Sequence, residues 1–314
     1  MKQVVLYFPG QGAQQLGMLA DLAEQYPVIK ETFDQASKAI DQDLWSLVQN
    51  GPAEELNLTY NTQPILVTAS AAIWNVIQQE LGEEISVVAG AGHSVGEYSA
   101  LYAAGVLSLQ DAVRLVKKRG ELMDTAVPAG EGGMAAILGL DSEQIEQVCT
   151  EASSAGIVEP ANFNAPGQIV IAGTAAGIAQ ACIVAKDAGA KRALPLQVSG
   201  PFHSSLMRQA AEPFVDALNS VEWSEAKFDV YHNANNAVSS LADMKQRLVE
   251  QLYSPVNWIG AVEASSVAAE MAIEVGPGKV ITGLNKRINK GLVTLSTGDS
   301  SNFDKLITAI KGED

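Results

Sequence analysis

The chain has 314 residues, of which 47% are hydrophobic and 18% charged, and a formal net charge of -16. This balance excludes a disordered chain and a disulfide-stapled miniprotein, and the length fits two domains or one α/β domain with an insertion. The acidity excludes nonspecific nucleic-acid or anionic-lipid binding, and no apolar run reaches the roughly 20 residues of a bilayer-spanning helix, so a soluble cytoplasmic protein is expected. Val4 to Phe8 reads as the first strand, closed by the Gly-rich turn Pro9-Gly10-Gln11-Gly12. Helices are predicted over Glu31 to Ile40 and Ile65 to Leu81, then a second apolar strand over Ile85 to Ala89. Gly92-His93-Ser94-Val95-Gly96 follows that strand and opens a helix from Val95 to Ala104, and Ser108-Leu109-Gln110-Asp111 reads as the capping box of the next. Alternating strands and helices of this kind build a parallel sheet covered on both faces.

The texture changes at Pro128-Ala129-Gly130-Glu131-Gly132-Gly133. Beyond it come a strand (Met134 to Leu140), a helix (Ser142 to Ser153) and two strands (Ile157 to Asn162, Gln168 to Ala172) joined by Asn164-Ala165-Pro166-Gly167. A helix (Ala175 to Ala188) and a strand (Lys191 to Val198) complete a βαββαβ, ferredoxin-like order. Further strands are predicted over Phe228 to His232 and Met271 to Val275, the latter followed by the structural turn Gly276-Pro277-Gly278. The expected fold class is therefore α/β. An α/β-hydrolase-like parallel-sheet catalytic domain, residues 1–126 and 200–314, carries an inserted ferredoxin-like small domain at 127–199.

Gly-x-Ser-x-Gly between a strand and a helix is the nucleophile-elbow arrangement, in which glycines permit a sharp turn that lifts the serine above the sheet. The helix start offers free backbone N–H groups, Val95 first among them, to a developing oxyanion. Serine needs a positioned base, and the chain has three histidines. His93 adjoins the nucleophile and points elsewhere. His232 sits in the polar run Tyr231-His232-Asn233-Ala234-Asn235-Asn236, where a structural role is the default. His203, in the loop Gly200-Pro201-Phe202-His203-Ser204-Ser205, is the strongest candidate, although spacing alone does not decide. No acidic residue between Ser94 and His203 stands in a triad setting, so the group orienting the base is left open. Cys149 and Cys182 lack metal-ligand spacing and read as reduced, buried thiols. Arg119, in Lys117-Lys118-Arg119-Gly120, reads by position as a cation on a solvated helix surface.

The motifs Phe8-Pro9-Gly10-Gln11-Gly12, Gly92-His93-Ser94-Val95-Gly96-Glu97-Tyr98-Ser99-Ala100, Lys118-Arg119-Gly120, Gln251-Leu252-Tyr253-Ser254-Pro255-Val256 and Glu274-Val275-Gly276-Pro277-Gly278-Lys279 occur in that order. Together with Asn162-Phe163-Asn164-Ala165-Pro166-Gly167-Gln168 they closely resemble the malonyl-CoA:acyl carrier protein transacylases over essentially the whole chain. The resemblance implies that Ser94 carries malonate from malonyl-CoA to the phosphopantetheine thiol of acyl carrier protein, with His203 as base and acid. It implies Gln11 and Val95 in the oxyanion hole, Arg119 on the free carboxylate of the substrate, and a backbone carbonyl near Gln251 orienting His203. Gln251 and Phe202 count among the substrate-binding residues, Phe202 through bulk that would crowd an α-methyl group. The implied enzyme is a monomer without metal or redox cofactor, serving fatty-acid synthesis, polyketide synthesis or both. The same elbow also fits a serine esterase or thioesterase, and a silent carrier-binding subunit is the non-enzyme reading. Two departures stand out: Val95 replaces the common leucine, and Ala89-Gly90-Ala91-Gly92 is longer than the usual Ala-Gly, which unsettles the register of the strand end. Lys191-Arg192 and the cluster Lys286, Arg287 and Lys290 are the basic patches available to an acidic carrier protein.

Overall fold

The computed structural model describes residues 1–312, so Glu313 and Asp314, at the end of the expected large domain, lie outside the described residues. In chain order the strands are β1 (Lys2–Phe8), β2 (Ile85–Gly92), β3 (Gly132–Leu138), β4 (Val158–Ala165), β5 (Gln168–Thr174), β6 (Arg192–Pro195), β7 (Asp229–Tyr231), β8 (Val256–Asn257), β9 (Met271–Glu274) and β10 (Thr294–Ser296). They form two five-stranded sheets, ordered β10-β9-β1-β2-β7 and β6-β3-β5-β4-β8.

The first sheet is parallel throughout. Its central strand β1 is covered on both faces, which is why Val4 to Phe8 is an unbroken apolar run with every residue fully buried. Alternate side chains divide between two cores. Val4, Leu6 and Phe8 pack with the helices Thr59–Leu81, Gly96–Ala103 and Leu109–Thr125, whereas Val5 and Tyr7 pack with Trp258, Val262 and Ile281. The long Ala-Gly end of β2 is absorbed by a bulge: Val4 pairs with Val87 and Val5 with Ala89, so Val88 is the extra residue. Register is restored beyond it, and Phe8 pairs with Gly92 immediately before the elbow.

The second sheet holds the expected βαββαβ unit in the order β6-β3-β5-β4, antiparallel, with the helices Ser142–Ala152 and Ala175–Asp187. Those helices cover a separate core around Ile137, Ile145, Ile171 and Ile178. Asp141 and Gln144 cap the first helix reciprocally. Three details differ from the sequence reading. β4 continues to Ala165, leaving a tight turn at Pro166-Gly167 in which Gly167 has φ 67°. β6 stops at Pro195, whose ring removes a ladder donor. β8, from the C-terminal part of the chain, adds to β4 in parallel and ties the inserted unit to the larger one.

Among the helices, Thr59–Leu81 starts six residues before the predicted Ile65 because its first turns, Thr59-Tyr60-Asn61-Thr62-Gln63-Pro64, are polar yet mostly buried. Short helices at Ala20–Gln25, Leu44–Asn50 and Ala53–Leu56 were not predicted. Ser108 caps Leu109–Thr125 by accepting from Asp111 N–H, while Asp111 takes the Ser108 hydroxyl instead of completing a capping box. Cys149 and Cys182 are unpaired and buried in the inserted unit, and burial pushes the Cys149 thiol up to about 12. No described helix is long and apolar enough to cross a membrane.

Candidate active site

The turn after β2 requires both of its glycines. A Cβ on Gly92 would overlap the carbonyl of Gly96, and one on Gly96 would overlap the carbonyl of Phe8. Ser94 between them is held at φ 52°, a left-handed conformation uncommon outside glycine. Asn233, just past β7, straps this turn: its Oδ1 accepts from Ser94 N–H at 2.8 Å and its Nδ2 donates to Gly92 O at 2.7 Å. The helix Gly96–Ala103 starts at once, with Val95 as its buried N-cap; the N–H groups of Gly96, Glu97 and Tyr98 donate to the carbonyls of His93, Ser94 and Val95, so the Val95 N–H is the donor of this turn left for an oxyanion.

His203, a second non-glycine residue in the left-handed region at φ 61°, meets the serine: its Nε2 lies 2.7 Å from Ser94 Oγ. Its Nδ1 lies 2.8 Å from the main-chain carbonyl of Gln251. A carbonyl can only accept, so Nδ1 carries the proton and Nε2 presents its lone pair to the serine O–H. The orienting group left open by the sequence is therefore a backbone carbonyl. Burial, and then the nearby charge of Arg119, hold the His203 imidazole down at about 3, which keeps it neutral and able to take a proton.

Arg119 is not on a solvated face; only 1% of it is exposed. Its helix buries Ala112, Val116, Arg119, Gly120 and Met123 along one stripe, and Gly120 lets that stripe lie against the backbone of Tyr60. Arg119 Nη1 donates to Gln63 Oε1 at 2.9 Å, and Nη2 donates to Gln251 Oε1 at 2.8 Å and to Ser94 Oγ at 3.1 Å. The Tyr98 ring lies 5.7 Å from the guanidinium carbon. Among the described residues no carboxylate forms an ion pair with Arg119, and its Nε has no partner.

The hydroxyl opens onto a cavity of about 570 Å³ between the two sheets, lined by Gln11, His93, Ser94, Phe202 and His203 on one side and by Met134, Asn162, Asn164 and Val170 of the inserted unit on the other. Gln11 is exposed in the turn after β1, its Nε2 donating weakly to Thr59 Oγ1. Phe202 is buried in the cavity wall. His93 turns away from the serine, with Nε2 2.7 Å from Asn164 Oδ1 and the ring against Trp258. Gln251 stands behind the site, fully buried, with its side chain spent on Arg119, Ser94 O and Glu97. Among the described residues no cluster of three or more His, Cys, Asp or Glu could hold a metal ion.

Residues 5–283 match the family model described as the acyl transferase domain. The chain is 48% identical over 306 residues to the malonyl CoA-acyl carrier protein transacylase of Haemophilus influenzae, covering 97% of this chain and 98% of that one. The chain belongs to this acyltransferase family. The Bacillus subtilis member is 47% identical over 318 residues, covering 100% of this chain and 99% of the relative. Among solved structures, an acyl carrier protein S-malonyltransferase from Vibrio cholerae superposes with a TM-score of 0.92 at 48% identity, covering 98% and 100% of the two chains. A malonyl-transacylase in complex with its type II polyketide acyl carrier protein gives 0.94 at 46% identity over the whole of both chains. For an acyltransferase of this family, four residues of the site escaped sequence reasoning: Gln63, Glu97, His232 and Asn233. Each left a trace. Glu97 is an acid inside an apolar helix, Gln63 belongs to a polar run that proves buried, and His232-Asn233 follow the carboxyl end of a parallel strand, where ligand sites gather.

Proposed function

We propose that the chain transfers malonyl from malonyl-CoA to the phosphopantetheine thiol of acyl carrier protein through a malonyl-Ser94 ester, with fatty-acid synthesis as the main use. The observation that carries the choice of acyl group is Arg119: a buried guanidinium that no carboxylate touches, Glu97 standing behind Gln251, with one N–H already 3.1 Å from the nucleophile. An unpaired buried cation is costly, and a substrate carboxylate placed next to the thioester relieves that cost.

The chemistry follows from the atoms present. His203 Nε2 takes the Ser94 proton as Oγ attacks the thioester carbonyl, and the oxyanion is held by the backbone N–H groups of Val95 and Gln11, each such donor being worth about 3 kcal/mol. Collapse breaks the C–S bond, and the imidazolium returns its proton to the leaving thiolate. The carrier thiol then repeats the sequence in reverse, giving up its proton to His203 as it attacks the ester and leaving Ser94 with its hydroxyl restored. Every step is a proton or acyl transfer and needs no metal or redox cofactor. Phe202 narrows the cavity against an α-methyl substituent.

The inserted unit, bounded at 127 and 199, supplies the second wall of the cavity, and one chain completes the site as a monomer. A cytoplasmic setting agrees with the free thiols of Cys149 and Cys182. For the acidic carrier, Lys191 and Arg192 and, separately, Lys286 and Lys290 are the exposed candidates; Arg287 is already bonded to Gln168 and to Pro166 O in the β4–β5 turn, at 2.7 and 2.5 Å. Charge reversal at either pair should raise the KM for carrier alone, and an unchanged KM removes that pair. Incubation with malonyl-CoA, with and without carrier protein, tests the whole reading. Expected are a malonyl adduct on Ser94, visible in the intact-protein mass, and malonylated carrier. Rapid release of free malonate without a loaded carrier would make the enzyme a thioesterase, and absence of any adduct would make it a silent carrier-binding protein.

A further inference from the structure

Three parts of the site converge on one carboxylate that no step above uses. Glu97 lies in the first turn of the helix after the elbow and is fully buried. Its Oε2 accepts from Gln251 Nε2 at 2.5 Å and from Asn233 N–H at 3.0 Å, and its Oε1 accepts from His232 Nδ1 at 2.6 Å. His232 is itself fully buried, and its Nε2 meets Ser239 Oγ at 2.7 Å.

Two of the three donors lead to reacting groups. Gln251 holds Arg119 through its side-chain oxygen and His203 through its main-chain carbonyl. Asn233 holds the main-chain N–H of Ser94. The oxygen and NH2 ends of an amide have the same shape, and three neighbours decide which end of Gln251 faces the cation: Arg119 can only donate, while the Ser94 carbonyl and Glu97 Oε2 accept. Glu97 Oε2, already an acceptor for the Asn233 main-chain N–H, takes the shorter of the two bonds from the NH2 end, 2.5 Å against 3.1 Å to the Ser94 carbonyl, and so holds the oxygen end toward Arg119. Reversing the amide would set its NH2 against the guanidinium and leave the Glu97 oxygen without its donor, in a region where unpaired polar groups are expensive.

We propose that Glu97, itself fixed by His232, is the positioning residue of the site, setting nucleophile, base and carboxylate-binding arginine in register through Gln251 and Asn233. This inference rests on the roles given above to Ser94, His203 and Arg119. It assigns Glu97 no contact with substrate. His232 contributes a third donor to the carboxylate and, through Ser239, anchors it to the loop after β7.

The test uses the full chain, with three readouts: kcat for malonyl transfer, KM for malonyl-CoA, and the ratio of malonyl to acetyl loading on Ser94 by intact-protein mass. Glu97→Met keeps the volume and removes the acceptor. It should lower kcat about 100-fold, the cost of a small misplacement of reacting groups, and lower the malonyl-to-acetyl ratio about tenfold as Arg119 loses its aim. Glu97→Gln should recover both to within about fivefold, since a Gln oxygen can accept from Asn233 and Gln251 while its NH2 donates to the other tautomer of His232. A folded Glu97→Met protein with an unchanged loading ratio, whatever its kcat, overturns the proposal, because a carboxylate that only supports the fold would not alter selectivity. Should that variant fail to fold, His232→Ala decides: a severalfold fall in the ratio supports the proposal and an unchanged ratio overturns it. Failure of the underlying site reading looks different, since wild type would then show no malonyl preference, or Arg119→Ala would leave that preference intact.

Discussion

Arg119→Ala separates the dicarboxylate reading from ordinary serine acyl chemistry. A guanidinium carries five N–H donors, and Gln63, Gln251 and Ser94 take three of those of Arg119, leaving one on Nη1 and the one on Nε, which with the Nη2 N–H lent to Ser94 can supply two bonds to a ligand carboxylate. A hydrogen bond to a charged group contributes about 1.5–3 kcal/mol, so two lost bonds remove about 3 kcal/mol at the low end, where water entering the vacated space takes over part of the carboxylate's solvation. At about 1.4 kcal/mol per decade this is a fall of roughly 100-fold in kcat/KM for malonyl-CoA. Acetyl-CoA has no carboxylate to lose, and its loading should change by no more than about threefold, through the bond from Nη2 to Ser94 Oγ. The assay is the rate of adduct formation on Ser94 from each thioester, read by intact-protein mass on protein whose thermal melt shows it folded. Equal losses for the two substrates would refute the role of Arg119. Arg119→Lys should not rescue, because an ammonium cannot reach Gln63, Gln251 and the ligand together as a planar fork does.

Burial and the charge of Arg119 both disfavour the protonated imidazole, so His203 should stay neutral far into acid; the acid limb of kcat/KM should fall well below the ordinary histidine value of 6.5 and move upward in Arg119→Ala, and a limb centred near 6.5 in wild type would contradict the environment described. Gly92→Ala drives a Cβ into the Gly96 carbonyl, so Ser94 loading should disappear and stability fall by about 1–3 kcal/mol, whereas Gly133→Ala, with open space around it, should leave both unchanged; a loaded, stable Gly92→Ala protein would show that the elbow does not need its tight turn. Phe202→Ala should raise methylmalonyl loading relative to malonyl, and an unaltered ratio would remove Phe202 from the specificity wall.

Local chemistry sufficed for much of this. The alternation of apolar strands and helices, the glycines around Ser94 and the βαββαβ order depend on short-range sterics and periodicity, and these are written in contiguous residues. Arg119 could be misread as a surface cation because charge alone suggests solvent. The stripe Ala112, Val116, Gly120 and Met123 on the same helix already pointed inward, but only the close approach permitted by Gly120 shows that the guanidinium is buried with it. Likewise local chemistry singled out the loop of His203 but not what orients it, because the Gln251 carbonyl is a backbone atom with no side-chain signature, 48 residues away; only the family resemblance pointed to it. Residues 63, 97, 119, 203, 233 and 251 meet around Ser94 through long-range contacts that no local pattern encodes. The sequence by itself determined the elements and the nucleophile, since those are properties of neighbouring residues. The tertiary structure decided which distant polar groups surround that nucleophile, since a buried donor can be satisfied only by whatever the fold brings within hydrogen-bond reach.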